Sequence, residues 1–345
     1  MEIWAKETVY NAARFAIPPE KLRELSQKSF WRLPACFVLN WLIVFGLASL
    51  FLHGGHHALY PLAAILVAGR QGALLNMGHE LAHGLWRAGP RLADFVARWL
   101  LAYPLGVDYD GYKAAHVIHH RHANTELDPA VDREKSQLAD IRDPRLWRLF
   151  LKDLSGLTAL QVFFSYASQG GPLRRSLLEL IRGVTIKILR LSLPNLFLLF
   201  VVFRGSIPLY LALWIFPAMS VHMFFMRIRG IAEHGLGLQL GVKDLSKNGM
   251  GTLYTRSMLT FANGIGGWVE RLLLGSMGIN FHHEHHLFPV IPFHQLGKLH
   301  RLIRTEVLRH NPHAYVRGYT QALFNPVRGA EDYSRKIGLE ARAGG

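Results

Sequence analysis

Histidines are the residues whose type and spacing could do chemistry in this sequence. The chain has 345 residues and 19 histidines, and a neutral imidazole is a common metal ligand. On an α-helix, residues three or four positions apart share one side, so such groups could offer several ring nitrogens to a metal. Three short clusters have this spacing: His79 and His83, then His116, His119 and His120, and finally His282, His285 and His286.

The first cluster, taken alone, would favour a zinc protease. Residues 79–83 read HELAH, which fits the HExxH motif of zinc proteases with Glu80 as the general base. That reading leaves the two later clusters, each containing HxxHH, without a role. Eight imidazoles exceed the ligands of one four-coordinate zinc and suit two metals with positions left open. An intramembrane zinc protease is therefore kept as a remote alternative.

The sequence around His234 adds a ninth candidate ligand. A helix that begins near Ala58 reaches His79 after about 32 Å, and one that begins near Ile207 reaches His234 after about 40 Å. Both lengths exceed the roughly 30 Å of a bilayer's hydrocarbon, so four segments are predicted to meet at one membrane-adjacent site. Carboxylates beside the ligands are predicted to orient the imidazoles. These are Glu80, Asp128, Glu233 and Glu284.

The elements that must position this site are apolar. Residues 34–52 carry no charge and reach about 28 Å as a helix. Residues 58–77, 188–203 and 207–226 form three more apolar stretches, although Arg70 interrupts the second and must either snorkel or line a polar interior. We predict an all-α integral membrane protein with four transmembrane helices in two hairpins and a cytosolic histidine-rich helical cap. The predicted domains are an N-terminal cytosolic segment at 1–33, the membrane domain at 34–310 and a cytosolic tail at 311–345.

The charge distribution predicts which side of the membrane the site faces. Lys and Arg number 16 in residues 84–190 and 15 in residues 227–345, whereas the two predicted outer turns hold Arg204 alone. Positively charged segments stay in the cytoplasm, so we expect both termini and the metal site on the cytoplasmic face of a bacterial inner membrane. The formal net charge of +15 is spread along the chain with no recognisable nucleic-acid-binding module, which argues against nucleic acid as a partner.

Taken together, these motifs resemble those of the membrane fatty acid desaturases, a group that also contains related hydroxylases. The resemblance rests on residues 79–83, 116–129 and 280–289, and spacing and hydropathy agree with the family from about residue 34 to residue 300. It implies a centre of two iron ions (Fe2+/Fe3+) with O2 as co-substrate, and His234 matches a separate histidine that follows the family's last membrane helix. In some relatives an asparagine four residues earlier holds a water on one iron, and this chain has Gly230 there. The ligand roles that the three boxes imply fall on His79, His83, His116, His119, His120, His282, His285 and His286.

The resemblance further implies an oxygen-dependent desaturase that introduces a double bond into a fatty acyl chain or a related lipid. Hydroxylation of a lipid, a carotenoid or a small molecule is the alternative within the same chemistry. Removing hydrogen from an unactivated methylene needs a redox cofactor. Its electrons must come from outside, because the single Cys36 cannot hold an iron–sulfur cluster. The expected donor is a ferredoxin or a b-type cytochrome with its reductase, for which a basic protein face is suited.

Histidines without ligand spacing are not counted as metal ligands. His294, His300, His310 and His313 are predicted at the surface. His283, which lies inside the third cluster, is predicted beside the ligands or at the surface.

Overall fold

Helices make up most of the described chain. The computed structural model describes residues 13, 16–54, 56–125, 127–129, 141, 143–168, 177–236, 255–260 and 264–324. Shorter helical turns at His57–Leu59, Ala97–Ala102, Tyr103–Leu105, Leu198–Val202 and Ser276–Gly278 extend or join the longer helices. The longer helices are α1 (Pro19–Leu25), α2 (Arg32–Gly54), α3 (Tyr60–Ala82), α4 (Pro90–Val96), α5 (Tyr109–His122), α6 (Pro144–Leu154), α7 (Leu157–Ser168), α8 (Leu177–Phe197), α9 (Ile207–His234), α10 (Gly264–Leu273), α11 (His282–Leu287), α12 (Phe293–His310) and α13 (Tyr319–Phe324).

Three of the described helices are long and apolar enough to cross a membrane. They are α2 with 23 residues, His57–Ala82 with 26 residues, which includes α3, and α9 with 28 residues. At about 1.5 Å per residue each exceeds the hydrocarbon thickness, so the predicted association with a membrane is confirmed. The fourth predicted span corresponds to Ile188–Val202, a shorter apolar helix at the end of α8.

Hydrogen bonds between backbone and side chains join the membrane helices. The Tyr60 hydroxyl donates to the carbonyl of Ala212 at 3.0 Å, and Gln71 Nε2 donates to the carbonyl of Trp214 at 2.7 Å. Arg70 is buried in α3, and its guanidinium donates to Asn40 Oδ1 at 3.0 Å and to a backbone carbonyl of α10. Arg70 therefore lines a polar interior and does not extend to the membrane surface.

The last part of α9 is a separate straight segment, Val221–His234. Ser220 breaks the regular helix with φ −116° and ψ −84°, three residues after Pro217, whose ring nitrogen has no hydrogen to donate. The Ser220 hydroxyl donates to the carbonyl of Phe216 at 2.6 Å. This break sets the direction in which Val221–His234 carries His234 to the site.

Two ion pairs lie at the start of the helix that carries the second histidine box. Arg98 donates to Asp110 at 2.8 Å, and Lys113 lies 3.1 Å from Asp94. They join the first two turns of α5 to α4 and to the turn Ala97–Ala102 that follows it. The box at residues 116–120 occupies the following turns of the same helix.

A second apolar core lies away from the membrane helices, where α1, α11 and α12 pack together. Ile17 and Leu25 contact the buried side of α12 there. The described fold also contains two short parallel strands, β1 (Ser257–Met258) and β2 (Tyr315–Val316), a small departure from the predicted all-α class. Residues 311–324, which fall in the predicted C-terminal tail, thus pair with β1 and form α13. Residues 325–345 and 1–12 lie outside the described residues.

Candidate metal centre

The nine predicted histidines come together in two groups. One, the five-histidine cluster, contains His79, His83, His116, His120 and His285, and the other, the four-histidine cluster, contains His119, His234, His282 and His286. Within each group the ligand nitrogens lie within 4.8 Å of one another. The clusters adjoin, because the rings of His120 and His286 stack with centroids 4.4 Å apart.

Each HxxHH triplet is divided between the two clusters. His116 and His120 contribute to the five-histidine cluster, whereas His119, between them in sequence, contributes to the other. A helix turns about 100° per residue. Seen down the helix axis, residue i+4 therefore points about 40° to one side of residue i, and residue i+3 points about 60° to the other side. The third box follows the same rule: His282 and His286 share the four-histidine cluster and His285 belongs to the five-histidine cluster.

Nitrogen separations within the clusters fit a shared metal ion. In the five-histidine cluster, His116 Nε2 lies 2.8 Å from His83 Nε2 and 3.0 Å from His120 Nε2. In the four-histidine cluster, His282 Nε2 lies 2.7 Å from His234 Nε2 and 3.1 Å from that of His286. Two nitrogens about 2.1 Å from one metal and at right angles lie about 3 Å apart.

Burial favours the neutral form of several clustered imidazoles. It lowers the pKa of His282, His285 and His286 well below the ordinary value, and the neighbouring imidazoles lower it further. The pKa of His83 falls to about 4 mainly for the same reason. Neutral imidazole is the form that binds metal. The donor set therefore fits metal ions at neutral pH.

A left-handed glycine ends the helix of the first box. His79 lies in the last turn of α3, and His83 follows the helix directly. Gly84 has φ +66°, a conformation that glycine adopts without steric cost. The backbone N–H of Gly84 donates to Leu81, and that of Leu85 donates to Glu80, both at 3.0 Å. This turn holds His83 back against the end of α3, beside His79.

Asp128 and Asn124 orient two histidines of the four-histidine cluster. The ring nitrogen Nδ1 of His119 lies 2.9 Å from each carboxylate oxygen of Asp128. His234 Nδ1 lies 3.1 Å from Asn124 Oδ1, and the Asn124 backbone N–H donates to Asp128 at 2.8 Å. Asn124 has φ +62°, which asparagine tolerates better than most residues. A single turn after the second box therefore positions the Nδ1 sides of both rings and leaves Nε2 for a metal.

Glu233 lies next to a third histidine of this cluster. Its Oε2 is 3.7 Å from His282 Nδ1, too long for a hydrogen bond. The carboxylate accepts from Arg229 at 3.0 Å and 3.2 Å and from the Tyr319 hydroxyl at 3.0 Å. Arg229 also donates to Asn76 Oδ1 at 3.1 Å. Glu233 is thus held by α3 and α13 at a fixed place beside the cluster.

The other two predicted carboxylates have partners outside the clusters. Glu80 accepts from the backbone N–H of Phe293 at 3.0 Å and so links the end of α3 to the start of α12. Glu284 accepts from the Ser257 hydroxyl and lies 2.5 Å from His300 Nδ1. Burial alone would raise the pKa of Glu284, but the charge of His300 and the hydrogen bonds from His300 and Ser257 lower it overall.

The prediction of a surface position for His300 was wrong. Only 2% of this residue is exposed, because it lies on the stripe of α12 that buries Leu296, Leu299 and Ile303. Ligand spacing identifies candidates for a metal site but does not identify a buried histidine that pairs with a carboxylate. His283 is also buried, and its Nδ1 lies 2.9 Å from the Thr255 hydroxyl, so it contacts neither cluster through this nitrogen.

Two further residues near the site were not predicted from the sequence. Asn124 is one, although asparagine after a histidine box and before Asp-Pro could have indicated a turn. Arg256 is the other: its backbone N–H donates to the carbonyl of Glu233 at 2.9 Å and its Nε to that of Ala232 at 3.0 Å. A cation at the end of a helix interacts favourably with the unpaired carbonyls. Arg256 therefore holds the end of α9 next to His234.

The fold and the two clusters define a class of protein: helical membrane proteins that gather histidines from several segments into a centre suited to metal. The chain belongs to the fatty acid desaturase family, whose family model ("Fatty acid desaturase") matches residues 55–318. It is therefore an oxidoreductase. The predicted family resemblance is confirmed.

Individual relatives carry desaturase names as well. The chain is 24% identical to a dihydrorhizobitoxine desaturase of Bradyrhizobium elkanii over 71% of its own length and 67% of that protein. It is 29% identical to a chloroplastic omega-3 fatty acid desaturase of Sesamum indicum over 33% of its length and 27% of that protein. It is 33% identical to a temperature-sensitive sn-2 acyl-lipid omega-3 desaturase (ferredoxin) of Arabidopsis thaliana over 29% of its length and 23% of that protein.

Proposed function

We propose that this protein is an oxygen-dependent di-iron desaturase that introduces a double bond into a fatty acyl chain or a related lipid. The observation that carries the proposal is the meeting of nine histidines in two adjoining clusters at the end of apolar helices. The family membership of residues 55–318 supports the same reading.

The two clusters would each hold one iron. Redox chemistry with dioxygen is what bound iron supplies and amino-acid side chains do not. The protein's own residues bind and orient: Asp128 and Asn124 fix two ring directions, and Glu233 places a carboxylate beside a third. Partners of this kind on the distal ring nitrogen raise the basicity of the ligand and fix its tautomer.

The reaction also requires electrons from outside the chain. Two hydrogen atoms leave adjacent carbons, and with two further electrons and two protons dioxygen becomes two molecules of water. The electrons need an external donor, because Cys36 is the only cysteine. We assign this role to a ferredoxin or to a b-type cytochrome with its reductase. The name of the Arabidopsis relative includes ferredoxin, which supports the first choice.

We also propose that the substrate is an acyl chain in the membrane. The two plant relatives are named for fatty acids or acyl lipids, and the bacterial relative is named for dihydrorhizobitoxine. Apolar helices lead directly to the clusters, and this favours an acyl chain. We further propose that Ile188–Val202 makes a fourth crossing, which would put both termini and the centre on the cytoplasmic face of a bacterial inner membrane.

The zinc protease alternative loses support from the position of Glu80. A protease of this type needs the carboxylate beside the metal-bound water. Here the Glu80 carboxylate accepts from the Phe293 backbone, while His79 and His83 gather with His116, His120 and His285.

Metal content of the detergent-purified, iron-replete protein tests the proposal. The double variant His285→Ala/His286→Ala removes one ligand from each cluster, so we expect about two irons per chain in the wild type and loss of both in this variant. His122→Ala, which changes a histidine next to the second box but outside both clusters, is the matched control. One zinc that survives the double substitution would refute the di-iron reading.

Lipid analysis of cells that express the protein then identifies the reaction. New double bonds that depend on both His285 and His286 would support desaturation. New hydroxyl groups would assign the protein to the hydroxylases instead.

A further inference from the structure

One face of α10 is apolar and exposed. The side chains on it are between 41% and 85% exposed. They are Ile265, Trp268, Val269 and Leu272. At about 100° per residue, these four side chains fall within one arc of about 100° around the helix. A contiguous apolar surface of this kind marks a contact with protein or with membrane.

The opposite side of α10 is polar and contacts the part of the chain near the metal centre. Glu270 accepts from the backbone N–H groups of Tyr319 at 2.9 Å and of Thr320 at 3.0 Å. By the same helix geometry Glu270 points about 150° away from the middle of the apolar arc. The Tyr319 hydroxyl in turn donates to Glu233, beside the four-histidine cluster. α10 thus has one side on the protein and the other side open.

The end of α10 lies at a depth that the membrane helices define. The Arg70 guanidinium donates to Asn40 Oδ1 of α2 at 3.0 Å and also to the carbonyl of Leu272. Asn40 lies eight residues after Arg32, the first residue of α2, which is about 12 Å along the helix. Arg70 lies twelve residues after Ala58, near the start of its span, which is about 18 Å. The two lengths together match the roughly 30 Å of bilayer hydrocarbon, so Leu272 lies well inside it.

The backbone at the end of α10 is satisfied, as a position inside hydrocarbon requires. The carbonyl of Leu272 accepts from Arg70, and the N–H of Leu274 donates within the helix at 2.7 Å. Leu273 packs directly on Gly69 of α3, where a Cβ would lie only 3.1 Å from the Leu273 Cα. α10 therefore ends in contact with the middle of a membrane-spanning helix.

The chain enters and leaves this depth on the side of the metal centre. Before α10, Met258 of β1 donates its N–H to the carbonyl of Asn280 at 2.7 Å, and the Asn280 side chain donates to the carbonyl of Met258 at 3.0 Å. Asn280 follows α10 and directly precedes the third box. Between α10 and this box, the carbonyl of Ser276 accepts from Asn76 of α3 at 3.2 Å. The two ends of the loop that contains α10 thus meet beside the centre.

We propose that α10 is a re-entrant helix, which dips into the lipid leaflet on the side of the metal centre and turns back at Leu273 without crossing the membrane. Its exposed face contacts the acyl chains of that leaflet. The Arg271 guanidinium lies 5.5 Å from the Trp268 ring, towards the start of the helix and hence towards the lipid headgroups. Long basic side chains extend to the membrane surface in this way, and tryptophan favours the same boundary. This placement is independent of the proposed reaction.

Fluorescence quenching in lipid nanodiscs tests this placement. In a Cys36→Ser background, Leu272→Cys and Ile265→Cys are labelled with bimane in the full-length protein, in nanodiscs of phosphatidylcholine and phosphatidylglycerol. Phosphatidylcholine with a doxyl group deep in the acyl chain or close to the headgroup probes lipid at two depths, and iodide probes water. Leu39→Cys on α2, where Leu39 is 59% exposed, is the lipid control at a similar depth. Thr305→Cys on the exposed side of α12 is the water control.

We expect the label at position 272 to lose fluorescence to the deep doxyl group to the same extent as the label at position 39, and to resist iodide. Ile265 lies about 10 Å nearer the start of α10, so its label should respond more to the shallow doxyl group.

Three results would overturn the proposal. Quenching of the label at position 272 by iodide, as at position 305, would show that the face lies in water. Protection from all quenchers would show that another part of the chain or a second copy covers the face. Quenching at position 272 by the shallow doxyl group alone would show that α10 lies flat on the membrane surface.

A charge on the exposed face gives a second test that needs no label. Val269→Asp would place a carboxylate in hydrocarbon, where its cost is much larger than in water. Leu302→Asp is the matched control, because Leu302 is a 39% exposed apolar residue next to Arg301 on α12. We expect Val269→Asp to lower the melting temperature in nanodiscs by far more than Leu302→Asp. Equal shifts would mean that the face of α10 does not contact lipid.

Discussion

Replacing Asp128 by asparagine should weaken one metal site and leave the other intact. The Asp128 carboxylate lies 2.9 Å from His119 Nδ1 through both oxygens and accepts from the Asn124 N–H at 2.8 Å. An amide keeps the shape but has one oxygen, so one of the two atoms that face the His119 ring becomes an NH2 group in either orientation. His119 is a member of the four-histidine cluster and not of the five-histidine cluster.

The size of the effect follows from the contact that is lost. Exchanging the charged acceptor of a buried donor for a neutral one costs about 1.5–3 kcal/mol. This corresponds to about 10–100-fold in metal affinity, the range usual for a residue behind a metal ligand. At a chelator concentration between the two affinities, Asp128→Asn should therefore retain about one metal per chain.

The assay is iron content after dialysis against a graded series of chelator, with melting temperature measured in parallel. Asp110→Asn is the control, because Asp110 lies on the helix that carries His119 but pairs with Arg98 at the surface and contacts neither cluster. Equal loss of both metals in Asp128→Asn would refute the reasoning that the two clusters are oriented separately. Unchanged retention of both would show that Asp128 does not support His119.

Two further predictions concern stability. His300→Ala leaves the buried Glu284 carboxylate without its histidine partner and should reduce the free energy of unfolding by about 3–5 kcal/mol, measured as melting temperature in detergent. His310→Ala, exposed on the same helix, should have little effect, and equal effects would contradict the prediction. Acid should destabilise the metal-free protein. The pKa of His83 is lowered from 6.5 to about 4, and the pKa values of His285 and His286 are lowered well below 6.5. Below pH 6.5 the unfolded chain therefore binds more protons than the folded protein, and the free energy of unfolding falls from pH 6.5 towards pH 4. Melting curves at pH 7.5 and 5 test this, and His285→Gln/His286→Gln should show a smaller difference; a melting temperature that rises in acid would contradict it.

Histidine spacing and helix length selected the same nine histidines that the structure gathers in two clusters. The spacing of the three boxes selected eight of the nine clustered histidines, and helix length selected His234. What spacing did not predict is the division of each triplet, since three residues on one side of a helix need not face one metal. Positions i+3 and i+4 point about 100° apart around the helix axis. When two metal sites lie beside the helix, these two residues therefore face different sites.

Residues that act through tertiary contacts could not be predicted from the sequence pattern. Asn124 contacts His234, 110 positions away in sequence, and its left-handed backbone has no periodic signal. Glu80 was predicted to orient a ligand because it lies between two histidines, but its side chain leaves α3 on another side and meets Phe293. Three of the four predicted membrane helices match helices long and apolar enough to cross a membrane, and the fourth corresponds to the shorter helix Ile188–Val202.

The division of the triplets has a mechanical consequence. His119 and His120 are consecutive, as are His285 and His286, yet the members of each pair belong to different clusters. Consecutive Cα atoms stay 3.8 Å apart across a trans peptide. Two covalent links of fixed length therefore join the clusters, so loosening of the helix packing would move both together and could not pull them apart.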